Sequence, residues 1–442
     1  MSKRTGITAI LFLFLFASSA QKKLSFIEAD KISYELYQQQ KWEELIDFSG
    51  EVRDQGIDFF YLQARTAIAW YNLKKYNKST RFFLKAWESD SSPEWLQEYL
   101  YFSLIFSGQS TEASKMASYF SESMKQKISY QERKVLLVAF EAGYSFNPDF
   151  DKLTKNSFDE EMNVGNDYGE AFFLKDYHFE SVDLSHQIAP GGGMNHNFTY
   201  LNISREQQVD WGGRNTLPVK TNQFQYYINP YFVLGKKLNI SQSVNIIWGT
   251  SSYFSGGYSN STPVFYKVDY TFSDYIFSFS AWSRFGNFSP GAEVNFANIN
   301  DKKITQFSGW TTFYPFSNYK FHLTPRLYLR GGDEHHLWYS IFGVSGGAKL
   351  GPVNFYGQYL TGSMETFIGD AGYVVSNFPG KLNQKISGSL YFPIGEKYQF
   401  VVRYINQNII EQYNVYSNGV LSNSLEYKYT KHTLTGGLSW SF

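Results

Sequence analysis

Seven histidines, at positions 178, 186, 196, 322, 335, 336 and 432, are the side chains best suited to move protons or hold a metal. None of them is followed two residues later by a Ser that could serve as a nucleophile; His322 has Thr324 at that spacing, a weak substitute. Asp333, Glu334, His335 and His336 bring carboxylates and imidazoles together as a divalent cation would require. They follow Gly331 and Gly332, however, and read as a solvated hairpin tip. The Gly191 to Gly193 run neither follows a Rossmann-type strand nor opens a helix, so it reads as a turn and not as a phosphate cradle. No catalytic residue, metal or cofactor is expected, and the chain is read as a non-enzyme.

Three arginines are more informative. From Phe321 to Arg330 the residues alternate, with Phe321, Leu323, Pro325, Leu327 and Leu329 on one face and His322, Thr324, Arg326, Tyr328 and Arg330 on the other. The same period of two sets Tyr398, Phe400, Val402 and Tyr404 against Gln399 and Arg403, and Val353, Phe355, Gly357 and Tyr359 against Asn354, Tyr356 and Gln358. Strands that are apolar on one side and polar, aromatic and locally basic on the other fit a barrel with lipid outside and a lumen inside. Arg326, Arg330 and Arg403 then either line an anion-attracting path or pair with lumen carboxylates to brace a plug. Tyr328 and Tyr356 offer ring faces that could stack on sugars or simply fill space. Pro230 and Pro325 interrupt expected strands and predict bulges or strand ends, because proline donates nothing to a ladder.

The chain end carries the same alternation. Leu434, Gly436, Leu438, Trp440 and Phe442 form one face, and Thr433, Thr435, Gly437, Ser439 and Ser441 the other. An aromatic end of this kind resembles the terminal strand of bacterial outer-membrane barrels, which implies that Leu438, Trp440 and Phe442 form the signal read by the barrel assembly machinery. At the other end Ser2, Lys3 and Arg4, the apolar run from Ile7 to Ala17 and Ser18-Ser19-Ala20 read as a secretory signal peptide over residues 1–20. No later stretch reaches the roughly 18 apolar residues of a transmembrane helix. The absence of cysteine rules out disulfides and thiolate metal sites.

Aromatic residues make up 19% of the 442 residues, yet mean hydropathy is −0.36, as expected when apolar positions alternate with Ser, Asn, Gln, Thr or charge. A formal net charge of zero argues against nucleic acid as a partner.

Between Leu24 and about Tyr144 the sequence reads as helix. Trp42, Tyr76 and Ser110 lie 34 residues apart, and Leu45, Ser79 and Ala113 follow each by three. With Ala67, Trp70, Tyr76, Ser79, Phe83 and Ala86 the middle unit resembles a tetratricopeptide repeat, which implies packing roles for these small and aromatic residues and a short protein-binding solenoid. The expected organisation is α + β in two domains: helical repeats over 21–145, a linker over 146–165 and an antiparallel transmembrane barrel over 166–442. Short turns are expected at 189–193, 235–237, 273–274, 316–318, 351–352 and 395–396, and long outer loops at 210–220, 253–261, 288–302, 366–380 and 416–424. This count gives about 14 strands, with 12 or 16 as neighbouring even numbers.

The architecture resembles exopolysaccharide export porins and YaiO-like outer-membrane proteins. The resemblance implies an outer-membrane location with the N-terminal domain in the periplasm, contact with outer-membrane lipid, a periplasmic protein partner held by the repeats and, for an export porin, a polysaccharide. Envelope transport or assembly is the function expected, with a non-conducting, partner-docking barrel as the alternative.

Overall fold

The computed structural model describes residues 24–156, 167–211, 213–259, 262–332, 337–378 and 380–442. The expected signal peptide and the Asp333 to His336 cluster lie outside them. Among the described residues the chain begins with helices α1 (Phe26–Gln38), α2 (Trp42–Asp54), α3 (Phe60–Asn72), α4 (Tyr76–Ser89), α5 (Glu94–Phe106), α6 (Ser110–Ala117) and α7 (Glu122–Lys127). The 34-residue spacing falls on helix starts, since Trp42, Tyr76 and Ser110 open α2, α4 and α6. One turn further on, Leu45, Ser79 and Ala113 are completely buried. Ser79 shows why a small residue is needed: its hydroxyl donates to Ala67 O at 2.9 Å and lies 3.1 Å from Ser103 Oγ, so three helices meet there. Ala67, Phe83 and Ala86 are also fully buried. Trp70 lies under the Lys78 ammonium at 4.2 Å, and Tyr76 packs on Phe106 at 5.1 Å.

The helices end earlier than the sequence suggests. Val135–Phe146 is strand β1, not helix, and it pairs with the last strand from Leu137↔Ser441 to Phe146↔His432. The barrel therefore begins upstream of the expected linker. The run Val135 to Phe140 is continuously apolar, and such a run is ambiguous between helix and strand until its flanks are known. A short helix, α8 (Phe150–Asn156), stands where linker was expected.

Next come β2 (Tyr168–Ala189), β3 (Gly192–Asp210), β4 (Arg214–Leu234), β5 (Leu238–Ser259), β6 (Thr262–Ser283), β7 (Phe288–Ile299), β8 (Lys302–Phe313), β9 (Phe321–Gly332), β10 (Trp338–Leu350) and β11 (Val353–Met364). A two-stranded hairpin, β12 (Ile368–Gly369) and β13 (Val374–Val375), precedes β14 (Lys381–Ile394), β15 (Tyr398–Ser417) and β16 (Val420–Ser441). Fourteen of these strands close into an antiparallel barrel, leaving β12 and β13 as a separate pair. The strand number agrees with expectation, although two details differ. Ser273 and Asp274 lie inside β6, whose turn into β7 is at 284–287, and β1 supplies the strand this removes.

Most of the expected outer loops are strand. β7 runs through Phe288–Ile299, β3 and β4 are joined across 211–213, and β15 and β16 meet at 418–419. Of the expected outer loops, 366–380 remains a long connection among the described residues. The barrel is correspondingly lopsided, with 12 residues in β7, β8, β9 and β11 but 22 in β2, β5, β6 and β16. Twelve residues at about 3.3 Å each, tilted by about 40°, rise roughly 30 Å, one hydrocarbon thickness. The tall wall continues beyond that height, where it carries polar strand residues such as Gln207 and Gln208 and buries Phe173 and Tyr413. Polar residues there are compatible with strand, and that is why they read as loop.

On the short wall the ordinary inside-out rule is inverted. Phe296, Phe307, Leu327 and Phe342 are exposed, whereas Glu293, Asn295 and Gln306 are buried. Such a surface is stable only with lipid as its outer solvent. Among the described residues no helix is long and apolar enough to cross a membrane. Pro230 and Pro325 sit within β4 and β9; each keeps its register with one neighbour while pairing to the other lapses beside it. The missing N–H is thus confined to one ladder.

A candidate gated lumen

The segment between β11 and β14 folds into the barrel and crosses it. Its turn uses three successive left-handed residues, Asp370, Ala371 and Gly372. At Gly372 a Cβ would come within 2.6 Å of Ser278 Oγ, so the tip presses on the wall where only glycine fits. Wall side chains take up its backbone carbonyls: Tyr227 Oη donates to Ala371 O at 3.3 Å, Ser243 Oγ donates to the same oxygen, and Asn245 Nδ2 donates to Gly372 O at 2.9 Å. Gln306 imitates a strand neighbour, donating to Ile368 O at 2.5 Å and accepting from Ile368 N at 3.3 Å. Beyond the hairpin, Asn377 Nδ2 reaches Gln223 Oε1 at 2.9 Å. Ile368 packs in a cluster with Ile247, Ile276, Ile299 and Ile304, and Phe367 meets the Tyr328 ring edge-on at 4.9 Å. The contacts reach from β9 to β4, so the segment spans the lumen. At about 1 kcal/mol net per hydrogen bond, removing it from the wall costs several kcal/mol.

Each of the basic residues expected in the lumen has a specific neighbour. Arg330 Nη2 donates to Thr366 Oγ1 at the root of the inward segment. Arg326 lies over the Trp310 ring at 4.2 Å. Arg403 grips Glu141 with both terminal nitrogens, at 2.9 and 3.2 Å, and reaches Ser389 Oγ at 3.2 Å. Glu141 belongs to β1, which reads as helix in the sequence, so its role is hidden there. Replacing Arg403 with Met should leave a half-buried carboxylate unpaired and cost about 3 kcal/mol of unfolding free energy. The double change Glu141→Gln with Arg403→Met should recover most of that in denaturant unfolding in detergent.

Of the remaining expected lumen residues, Tyr328 is fully buried, and His322 stacks on Tyr319 at 5.2 Å near the helical end of the barrel. Asn354 and Tyr356 line a cavity of about 560 Å³ at that mouth, together with Tyr391 and Gln399. Gln358 faces inward from β11, partly covered. Leu438 and Trp440 are exposed on the outer face, and Trp440 stacks on Phe442 at 4.3 Å. Phe442 N donates to Leu136 O at 3.2 Å, and the Arg133 guanidinium bonds the Phe442 carbonyl, so the chain end closes the seam with β1. Among the described residues no three His, Cys, Asp or Glu side chains gather as a metal site.

The two ends of the lumen differ. Above the inward segment, within the tall wall, lies a cavity of about 870 Å³ whose lining includes Phe172, Arg205, Tyr253, Tyr270, Phe272 and Phe378. At the opposite end the helical domain sits on the hairpin turns. Asn77 N donates to Ser317 O at 2.8 Å, Asn239 Nδ2 to Glu112 Oε1 at 2.8 Å, and Gln187 Nε2 to Ser114 Oγ at 3.2 Å. Arg284 binds the domain through Asn77 Oδ1 at 3.2 Å and the Ser107 carbonyl, and holds Tyr314 Oη at 2.7 Å. Two glycines permit this approach: a Cβ on Gly191 would lie 2.6 Å from Lys115 Cβ, and one on Gly108 2.8 Å from the Tyr319 ring. Both have positive φ, 73° and 75°. Gly108→Val with Gly191→Val should therefore unseat the helices, at about 1–3 kcal/mol per site, and be seen as faster proteolysis and hydrogen exchange in α6 with an intact barrel.

No protein-family model and no curated protein sequence matches the chain. Among solved structures the chain is similar to a Pseudomonas aeruginosa FadL homologue, with 9% identity, a TM-score of 0.44, and 74% of this chain and 94% of that one covered. It is also similar to a deletion mutant of the TodX monoaromatic hydrocarbon channel, with 8% identity, a TM-score of 0.42 and coverage of 74% and 94%. A third similarity is to the ferric-catecholate import receptor Fiu from E. coli K12, with 9% identity, a TM-score of 0.31 and coverage of 60% and 52%.

Proposed function

We propose that this protein is an outer-membrane transport barrel held closed at rest by its inward-folded 365–380 segment, with the helical domain as a periplasmic, tetratricopeptide-like scaffold that receives a partner. The observation that carries this reading is the set of wall side chains, Tyr227, Ser243, Asn245 and Gln306, spent on the segment's backbone carbonyls. A permanently open pore has no use for them. A cavity above the segment and a helical domain across the opposite mouth fit a path that opens in steps. Export of a polysaccharide would require the segment to leave the lumen entirely. A partner-docking barrel that never conducts is the competing reading. Planar-bilayer recording of the intact protein separates the two: a gated transporter shows a quiet baseline with brief openings, whereas a pure docking barrel stays silent at every voltage it survives.

A further inference from the structure

On the outer surface of the barrel, His186 of β2 and His196 of β3 point their Nε2 atoms at each other across 3.1 Å, with rings 12° from parallel. In the β2–β3 ladder Met194 stands directly opposite His186, and Leu184 stands opposite His196. Alternation along β3 puts Met194 and His196 on one face, so two imidazoles and a thioether rise side by side. Tyr226 of β4 holds the far nitrogen of one ring, with Oη 2.9 Å from His196 Nδ1. In the tautomer whose Nδ1–H is donated to Tyr226 Oη, the His196 Nε2 lone pair is aimed at His186, the orientation that metal-binding histidines require.

We infer that His186, Met194 and His196 form a binding site for a soft monovalent cation, Cu(I). Two nitrogens each about 2.0 Å from one metal, at trigonal or tetrahedral angles, lie a little over 3 Å apart, the separation already present. The ligand set decides which metal. A thioether selects a soft ion, and imidazole suits copper as well as zinc. All three ligands are neutral, and Leu184, Phe198 and Ile228 neighbour them on the same face. A divalent ion would keep its whole charge beside hydrocarbon, whereas Cu(I) leaves only one unit there. When the metal enters, the proton shared between the facing nitrogens shifts to His186 Nδ1, so no net charge is expelled. The site lies about three residues, roughly 10 Å along the strand, from the turn where Gln187 and Gly191 contact Ser114 of α6. On the proposed orientation this is the periplasmic headgroup level, but binding itself does not depend on that reading.

The test uses the intact chain in detergent, free of any histidine tag, with Cu(I) supplied anaerobically in competition with a chromogenic chelator. One Cu(I) per chain should be withheld from the chelator, and His186→Ala with His196→Ala should abolish this. Met194→Leu, which conserves volume, should weaken Cu(I) at least about tenfold through loss of the soft ligand and leave Zn(II) unchanged. His335→Ala with His336→Ala, elsewhere in the sequence, should retain the ion. Heat-modifiable migration checks that each barrel is folded, and Met194→Leu carries the test should the double histidine variant fail to fold. Unchanged Cu(I) retention in either the double histidine or the Met194 variant would overturn the assignment, as would Zn(II) binding more tightly than Cu(I).

Discussion

Replacing residues 366–378 with a short Gly-Ser linker should raise the mean conductance of the purified protein at least about tenfold, because a 14-strand barrel without its inward segment approaches the width at which a water-filled channel appears. The deleted stretch carries the turn held by Tyr227, Ser243 and Asn245, and the Ile368 backbone held by Gln306. The barrel ladders on either side do not depend on it, since β11 and β14 pair directly from Asn354↔Tyr391 to Met364↔Leu382. Arg326 and Arg330 alternate on the lumen side of β9, which the deletion opens. The current should accordingly prefer anions, and Arg326→Ser with Arg330→Ser should shift the reversal potential in a salt gradient toward cations. A folded deletion variant that stays silent would mean that the helical domain seals the mouth by itself.

Removing Phe442 together with Trp440→Ser should abolish assembly. β16 meets β1 over the ten positions Leu137 to Phe146, and the last residue extends the seam through Leu136 and Arg133. The seam joins the first and last strands of the barrel instead of neighbours across a hairpin, so it forms late and gains nothing from local connection. Trp440 also stacks on Tyr398 at 5.8 Å, tying β16 to β15 at the lipid surface. The variant should accumulate unfolded or be degraded, with loss of heat-modifiable gel migration. Normal migration and surface exposure would show that the aromatic end is dispensable.

The barrel is legible in the sequence wherever one side of a strand meets lipid and the other water. Leu434, Leu438 and Trp440 alternate with Thr433 and Thr435 in sequence, and they are respectively exposed and buried in the fold. The 34-residue spacing is readable as helix starts, since Leu45, Ser79 and Ala113 are each buried one turn into α2, α4 and α6. β1 is not, since Val135 to Phe140 has no period to read and follows directly on helices. The tall wall is not either: past the bilayer Gln207 and Gln208 are strand residues of polar character on both faces, and only pairing with β2 and β4 distinguishes them from a loop. The inward segment is the deepest omission. Thr366 to Gly380 reads correctly as a long connection, but its direction is set by donors 62 to 144 residues away, such as Gln306, Asn245 and Tyr227, and no local pattern announces that. The docking of the helices is likewise a matter of single contacts, Asn77 with Ser317 and Glu112 with Asn239.

Where the 365–380 segment lies is the claim on which closure rests, and a disulfide reports it directly because the native chain contains no cysteine. Ser243 donates to the Ala371 carbonyl across a sequence separation of 128 residues. With Ser243→Cys and Ala371→Cys, mild oxidation of intact membranes should link the wall to the segment tip and give a faster-migrating, reductant-sensitive band in denaturing gels, with single-cysteine controls unchanged. Free thiols at both positions after oxidation, each labelled by a bulky membrane-impermeant reagent from outside, would place the segment outside the lumen and contradict the account.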